Sequence, residues 1–137
     1  MSVIEQSLKD IQESLQTNVN MLEESVYIND SELIQALPSV LIWVEDLGIS
    51  SEMATESRNT FTSTISIDLY VSAEISNDPL VTLGIMRTEI ENTLASLAFT
   101  DNNVFEFIQI GSDGIESMDS TSKAFRVALK YELRYRY

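Results

Sequence analysis

Carboxylates are the only side chains in this sequence that are abundant enough to suggest acid–base chemistry. The 137-residue chain contains 22 Asp and Glu residues. Neighbouring acids include Glu23-Glu24, Glu45-Asp46 and Glu89 with Glu91. A glycosidase-type pair needs two carboxyl groups about 5 to 10 Å apart across a cleft, with one of them desolvated. Because sequence neighbours on a helix or strand point in different directions, these pairs are typical of a solvated acidic surface.

The sequence contains neither histidine nor cysteine. Histidine is the commonest general base, and cysteine provides disulfides, thiolate metal sites and thiol nucleophiles. The segment 111–122, GSDGIESMDSTS, lacks the Asp-x-Asp-x-Asp-Gly spacing of a calcium-binding hand. The glycine-rich phosphate-binding motifs GxGxxG and GxxxxGK[ST] do not occur either. We therefore expect no catalytic residues, no cofactor and no metal site.

Charge is distributed unevenly along the chain. The net charge is −14, yet residues 123–137 contain five basic residues and one acid, whereas residues 1–57 contain eleven acids and one base. Binding to nucleic acid requires clustered Lys and Arg, and an anionic membrane surface attracts the same residues. The overall charge therefore disfavours both partners.

The N-terminal segment shows the signals of an amphipathic helix over residues 2–22. Ser2 is followed three residues later by Glu5, which is the spacing of a capping box, and apolar residues recur at helical intervals. The start of the chain has no basic segment followed by an apolar core, so we expect no signal peptide. Residues 26–37 are ambiguous, because Asp30-Ser31 would cap a short helix ending before Pro38.

A second amphipathic helix is predicted to follow the sequence SNDPLV. Asp78 fits the N-cap position and Pro79 the first helical position, where its missing N–H costs nothing. Apolar residues then recur every three or four positions, so the helix should continue to about Ala98.

Four stretches show strand patterns, namely 39–48, 61–73, 104–110 and 124–137. The first, SVLIWVEDLG, is apolar on both faces and is the candidate central strand. The second and fourth alternate, which predicts one apolar face and one solvated face. In the third, Phe105 and Phe107 should lie on one side. Polar loops are expected at 48–60 and 111–122.

This order of elements predicts a single α+β domain over residues 1–137. A mostly antiparallel or mixed sheet of about four to five strands should carry the two amphipathic helices on one face. The second face should remain in contact with water.

The last strand, FRVALKYELRYRY, places basic residues on the face opposite its apolar residues. If strands 61–73 and 124–137 are continuous, each exceeds about 40 Å at ~3.3 Å per residue, which is longer than one subunit of this size needs. The alternative is a bulge that divides each strand. The predicted interface residues are Asp68, Glu74, Arg126, Lys130, Arg134, Tyr135, Arg136 and Tyr137. Such opposite charges, for instance Asp68 or Glu74 with Lys130 or Arg134, can pair within one chain or between copies.

The layout of the chain resembles the tail-terminator, or tail-completion, proteins of tailed bacteriophages. Five stretches carry the resemblance: SVIEQSLKDIQESL, LPSVLIWVED, TISIDLYVSAE, the helix after NDPL, and FRVALKYELRYRY. The resemblance implies a non-enzymatic virion protein that forms a ring, usually hexameric, on the finished tail tube and presents a surface to the neck proteins of the head. It also implies that DNA passes through the ring without specific binding.

Two other functions remain open at the level of sequence. The chain could be another neck, head-completion or tube component, or it could be a small-molecule-binding or enzymatic α+β domain that uses carboxylates alone. A ligand-sized buried pocket lined by a carboxylate would favour the last of these.

Overall fold

The computed structural model describes residues 2–22, 25–29, 38–49, 60–72, 74, 77–114, 116–117 and 124–136. Its helices are α1 (Val3–Asn18) and α2 (Pro79–Ala95). Its strands are β1 (Val26–Ile28), β2 (Ser39–Ile49), β3 (Thr60–Ser72), β4 (Val104–Ser112), β5 (Glu116–Ser117) and β6 (Ala124–Arg136). The short helix considered for residues 30–37 and most of the predicted 48–60 loop lie outside the described residues.

Both helices begin at the predicted capping residues. Ser2 Oγ accepts a hydrogen bond from the Glu5 amide at 3.1 Å, and Asp78 Oδ1 accepts one from the Val81 amide at 3.3 Å. These bonds satisfy amides that have no partner inside the helix. Neither described helix is long and apolar enough to cross a membrane.

The strands form a mixed sheet in the order β1-β2-β3-β6-β4, and the short β5 pairs with β6 beside β4. β1 is parallel to β2, and all other pairs are antiparallel. The predicted α+β class is therefore confirmed. The choice of β2 as the central strand was wrong: β3 occupies the middle, and β2 adjoins the three-residue β1.

The pairing of β3 with β6 continues without a register shift over thirteen residues, from Thr60 opposite Arg136 to Ser72 opposite Ala124. Each strand is about 40 Å long at ~3.3 Å per residue. The alternative in which a bulge divides each strand is therefore wrong. Since side chains alternate along both strands, the unbroken register keeps every apolar row on the same face from end to end.

The hydrophobic core lies between that apolar face and both helices. Helix α1 contributes Leu8, Ile11 and Leu15, and α2 contributes Leu83, Met86, Ile90 and Leu94. The sheet contributes Val40, Ile42, Ile65, Ile67, Leu69, Val71, Val127, Leu129, Tyr131 and Leu133. The two helices thus cover one face of the sheet, as the amphipathic patterns predicted.

Strand β4 departs from the predicted alternation at two irregularities, between Val104 and Glu106 and between Gln109 and Gly111. Phe107 packs against the core, whereas Phe105 is exposed. The prediction that the two phenylalanines share a side was therefore wrong. A bulge inserts a residue and changes the face on which the following residues lie, and no glycine or proline adjoins the first irregularity to signal it.

Tyr131 joins the core to β4. Its ring stacks on Phe107 with centroids 4.7 Å apart, and Phe107 meets Phe99 edge to face at 5.1 Å. Burial of the Tyr131 phenol raises its pKa to about 12; the nearby Glu91 acts in the same direction and Arg87 opposes it.

Alkaline pH should destabilise the fold through Tyr131. In the unfolded chain the phenol ionises near its ordinary pKa of 10.0, while in the folded chain it stays protonated up to about 12. Unfolding therefore releases a proton between pH 10 and 12, and stability falls as pH rises through that window. Urea unfolding of Tyr131→Phe should show a flatter pH dependence there than the wild type. Equal dependence in both proteins would contradict this assignment.

Asp10 connects α1 to the segment that follows α2. Its carboxylate accepts hydrogen bonds from the Thr100 amide at 2.9 Å, the Thr100 hydroxyl at 3.1 Å and the Gln6 side-chain amide at 2.9 Å. Asp10 is buried, so the three donors compensate its removal from water.

Replacing Asp10 by Ala should lower the free energy of unfolding by about 1 to 3 kcal/mol, because three part-buried hydrogen bonds to a charged acceptor are lost. Glu13→Ala, at an exposed position of the same helix, is the matched control and should change stability by less than about 0.5 kcal/mol. Both values come from urea titration of the helical circular dichroism signal. A loss from Asp10→Ala no larger than the control's would refute the connection.

Candidate interaction surface

A charged cluster lies on the sheet face opposite the helices, centred on Asp68 of β3. The Asp68 carboxylate accepts hydrogen bonds from Trp43 Nε1 at 2.8 Å, Ser66 Oγ at 2.5 Å and Arg126 Nη2 at 3.1 Å. Asp68 is only 2% exposed. A buried carboxylate is stable when it is paired and hydrogen-bonded, and this cluster meets both conditions.

The prediction of a solvated face was wrong at the centre of β3, where Ser66 and Asp68 are both buried. Trp43 accounts for part of this burial, since it pairs with Ser66 across the β2–β3 ladder and its indole reaches Asp68. The sequence pattern predicted that stretch 39–48, which contains Trp43, is apolar on both faces. The structure instead places Trp43 over the charged cluster.

Lys130 of β6 extends the cluster towards β2. Its Nζ donates to Ser66 Oγ at 3.0 Å and forms an ion pair with Glu45. The same ammonium lies 5.3 Å from the centroid of the Trp43 ring, within the range of a cation–π interaction. Lys130 therefore neutralises an acid from β2 inside the same chain.

Tyr70 lies at the end of the cluster nearest Arg126. Burial raises the pKa of its phenol, and the Asp68 charge adds to this effect, while Arg126 lowers the pKa through its charge and a hydrogen bond. The Tyr70 phenol is therefore a neutral hydrogen-bonding group at physiological pH.

Arg134 and Arg136 occupy the opposite end of β6. Arg134 pairs with Glu132 at 3.0 Å and with Glu106 of β4 at 3.4 Å. The guanidinium carbon of Arg136 lies 4.9 Å from the centroid of the Phe105 ring, and Arg136 is exposed.

The remaining predicted interface residues are dispersed. Tyr135 is buried, with its ring stacked on Phe61 at 5.6 Å and its hydroxyl 3.3 Å from Ser63 Oγ. Glu74 is exposed beyond the paired end of β3. Tyr137 lies outside the described residues.

The structure therefore brings Asp68, Arg126 and Lys130 together, although not in the predicted pairs. Asp68 pairs with Arg126 rather than with Lys130 or Arg134, because Lys130 reaches Glu45 and Arg134 reaches acids on its own strand and on β4. These ion pairs are intramolecular. A contact of this face with another subunit stays a prediction.

Two groups of exposed apolar side chains went unrecognised in the sequence. The α2 patch consists of Leu80, Val81 and Ile85, and the β4 patch consists of Phe105, Ile108 and Ile110; their exposures range from 43% to 55%. The sequence feature that could have indicated the α2 patch was the uncharged run PLVTLGIM at 79–86. It contains more apolar residues than one buried stripe can use.

A cleft of about 330 Å³ lies between the end of α2 and the start of β4. Its two carboxylates are already engaged, since Asp101 accepts from the Asn103 amide and Glu106 pairs with Arg134. Among the described residues, no group of three acids is arranged to hold a metal ion. The cleft therefore offers no evident acid–base pair.

Removing the charge of Asp68 should destabilise the fold. Asp68→Asn leaves Arg126 with a weakened partner in a largely buried position, so we expect a loss of about 2 to 4 kcal/mol in unfolding free energy. Glu106→Gln is the matched control, because its ion pair with Arg134 is far more exposed and should contribute less than about 1 kcal/mol. Chemical denaturation measures both, and equal losses would contradict the central position of Asp68.

Comparison with known proteins finds a likeness in fold rather than in sequence. No protein-family model and no curated protein matches the chain. A chain in the solved structure described as "Virion of native gene transfer agent (GTA) particle" superposes with a TM-score of 0.69 at 9% sequence identity. The match covers 99% of this chain and 98% of that chain. The two chains therefore share one fold over nearly their whole lengths.

Proposed function

We propose that this protein is a structural, non-enzymatic virion protein that acts as a tail terminator. Copies of the chain form a closed ring, expected to be a hexamer, on the end of the tail tube. One side of the ring contacts the tube protein, and the other contacts the connector proteins of the head neck. The protein assembles in the host cytoplasm and remains in the virion.

The observation that carries this proposal is the end-to-end likeness in fold to a chain of a gene transfer agent virion. The match covers 99% of this chain and 98% of that chain, so the likeness is not confined to a local motif. This supports a comparable structural use of the fold, and the resemblance of the sequence to tail terminators narrows the proposal to that position.

The electrostatics of the described surface are consistent with DNA passing through without being held. The basic residues Arg126, Lys130 and Arg134 are paired with acids of the same chain, and the net charge is −14. Tight binding to DNA needs cations that are available to phosphates. A ring of such subunits would repel the backbone of passing DNA.

The fold and charge of this chain do not decide between a terminator and another neck, head-completion or tube component. Its behaviour in assembly must distinguish these roles. The carboxylate-only enzyme is less well supported, because the carboxylates in the cleft between α2 and β4 are already engaged.

The test combines light scattering with tube assembly. The purified chain should form a ring in solution or on tube ends, and adding it to polymerising tube protein from the same particle should stop elongation. Electron microscopy should then show shorter tubes with extra density at one tip. Open polymerisation of the chain alone would indicate a tube protein instead. A chain that stays monomeric and never binds tubes would refute the proposal.

Within the same experiment, one charge reversal tests the basic end of β6 and a second, in α1, is its control. Arg136→Glu should weaken assembly at least about tenfold if this end contacts a neighbouring subunit, since 1.4 kcal/mol corresponds to a factor of ten. Lys9→Glu makes the same charge change at an exposed position of α1 and should alter assembly less than about twofold. Equal effects would mean that only net charge matters.

A further inference from the structure

We propose that the α2 patch of one copy packs against the β4 patch of the next copy in the ring. This inference rests on the proposed function, because it names the surfaces through which that ring would close.

Helix α2 is apolar on two opposite sides. Leu83, Met86 and Ile90 face the core and are almost fully buried, whereas the α2 patch lies on the outer side of the same helix. A helix that is apolar all round is normally covered on both sides. No charged residue interrupts the first two turns, from Pro79 to Met86.

Gly84 adds a second reason to expect close packing on the outer side of α2. It lies one turn after Leu80, and a Cβ at this position would meet nothing within 4 Å in the chain itself. Glycine inside a helix costs roughly 1 kcal/mol relative to alanine. Nothing within the described chain requires this glycine, but close approach of a second copy would.

Strand β4 lies at one edge of the sheet and presents the β4 patch. An exposed edge strand that carries apolar side chains is a site of association with another chain. Ile108 pairs with Glu132 in register, and Phe105 lies beside Arg136. Both residues therefore project on the side of the sheet away from the helices.

Because the α2 patch lies outside the helical layer and the β4 patch faces the other side, one chain cannot cover the first with the second. Contact between two copies would bury both. Such a contact joins different surfaces of the two copies, and heterologous contacts of this kind produce rings when the rotation closes.

The charges beside the two patches also favour contact of an α2 patch with a β4 patch. Asp78 precedes the α2 patch as its N-cap, and Glu89 follows Ile85 by one turn on an exposed position. Beside the β4 patch, the acids Glu106 and Glu132 are both paired with Arg134, and the exposed Arg136 guanidinium stacks on Phe105. Two α2 patches would bring acids together, whereas an α2 patch facing a β4 patch brings acids towards a cation.

Cysteine crosslinking tests the pairing directly, because the natural chain has no cysteine. Val81→Cys and Ile85→Cys on α2 are each mixed with Phe105→Cys or Ile108→Cys on β4 and oxidised mildly. Disulfides form only when the Cβ atoms come within about 4.5 Å. Two positions are therefore tested in each patch, because the rotation of one copy relative to the next is not fixed by the proposal. Glu13→Cys on the exposed side of α1 replaces the α2 variant in the control.

We expect at least one α2–β4 mixture to give disulfide dimers at more than ten times the control yield. The corresponding double variant should give a ladder of covalent species that ends at the number of subunits in the ring. Dimers of an α2 variant with itself, or mixtures no better than the control, would overturn the inference.

Light scattering of the wild-type chain, with and without tubes, separates the two possible failures. If the wild type assembles but no mixture crosslinks, the interface is wrong and the proposed function stands. If the wild type neither assembles nor binds tubes, the proposed function fails and the interface fails with it.

Discussion

The unbroken pairing of β3 with β6 is the constraint on which the other features of the subunit depend. Thirteen consecutive residue pairs keep a single register, so the apolar rows of the two strands form one continuous surface for both helices. The same register forces the polar rows together on the other face. Core packing and the charged cluster are thus two results of one alignment, and neither can shift without the other.

The position of β6 explains why so acidic a chain ends in basic residues. β6 lies between β3 and β4, and its cations reach acids on three strands: Glu45 on β2, Asp68 on β3 and Glu106 on β4. A basic strand at the edge of the sheet could not do this. The basic residues are concentrated where they reduce repulsion among the surrounding carboxylates, and the partly buried pairs are screened least by salt.

Local signals were sufficient to predict the helices and long strands, because caps and alternation depend on nearby residues. Asp78 and Pro79 predicted the start of α2, and the alternation in 61–73 and 124–137 predicted β3 and β6. What the sequence could not supply was the relative register of distant strands. The pairing of Asp68 with Arg126, the approach of Trp43 to that pair and the displacement of Phe105 by a bulge all depend on that register. The second apolar side of α2 was missed for a different reason. Helical periodicity identifies the stripe that packs on the core, but it does not indicate that further apolar residues form a second face.

The uninterrupted register also determines how such a sequence can change over time. Apolar residues can replace one another in β3 and β6 as long as the alternation is preserved. The 9% identity with a chain of the same fold shows that very different sequences can form this fold. An insertion or deletion of one residue within either strand would exchange its two faces, exposing the core row and burying the charged row. Divergence in these strands should therefore proceed by substitution, and changes in length should accumulate in the connections between them.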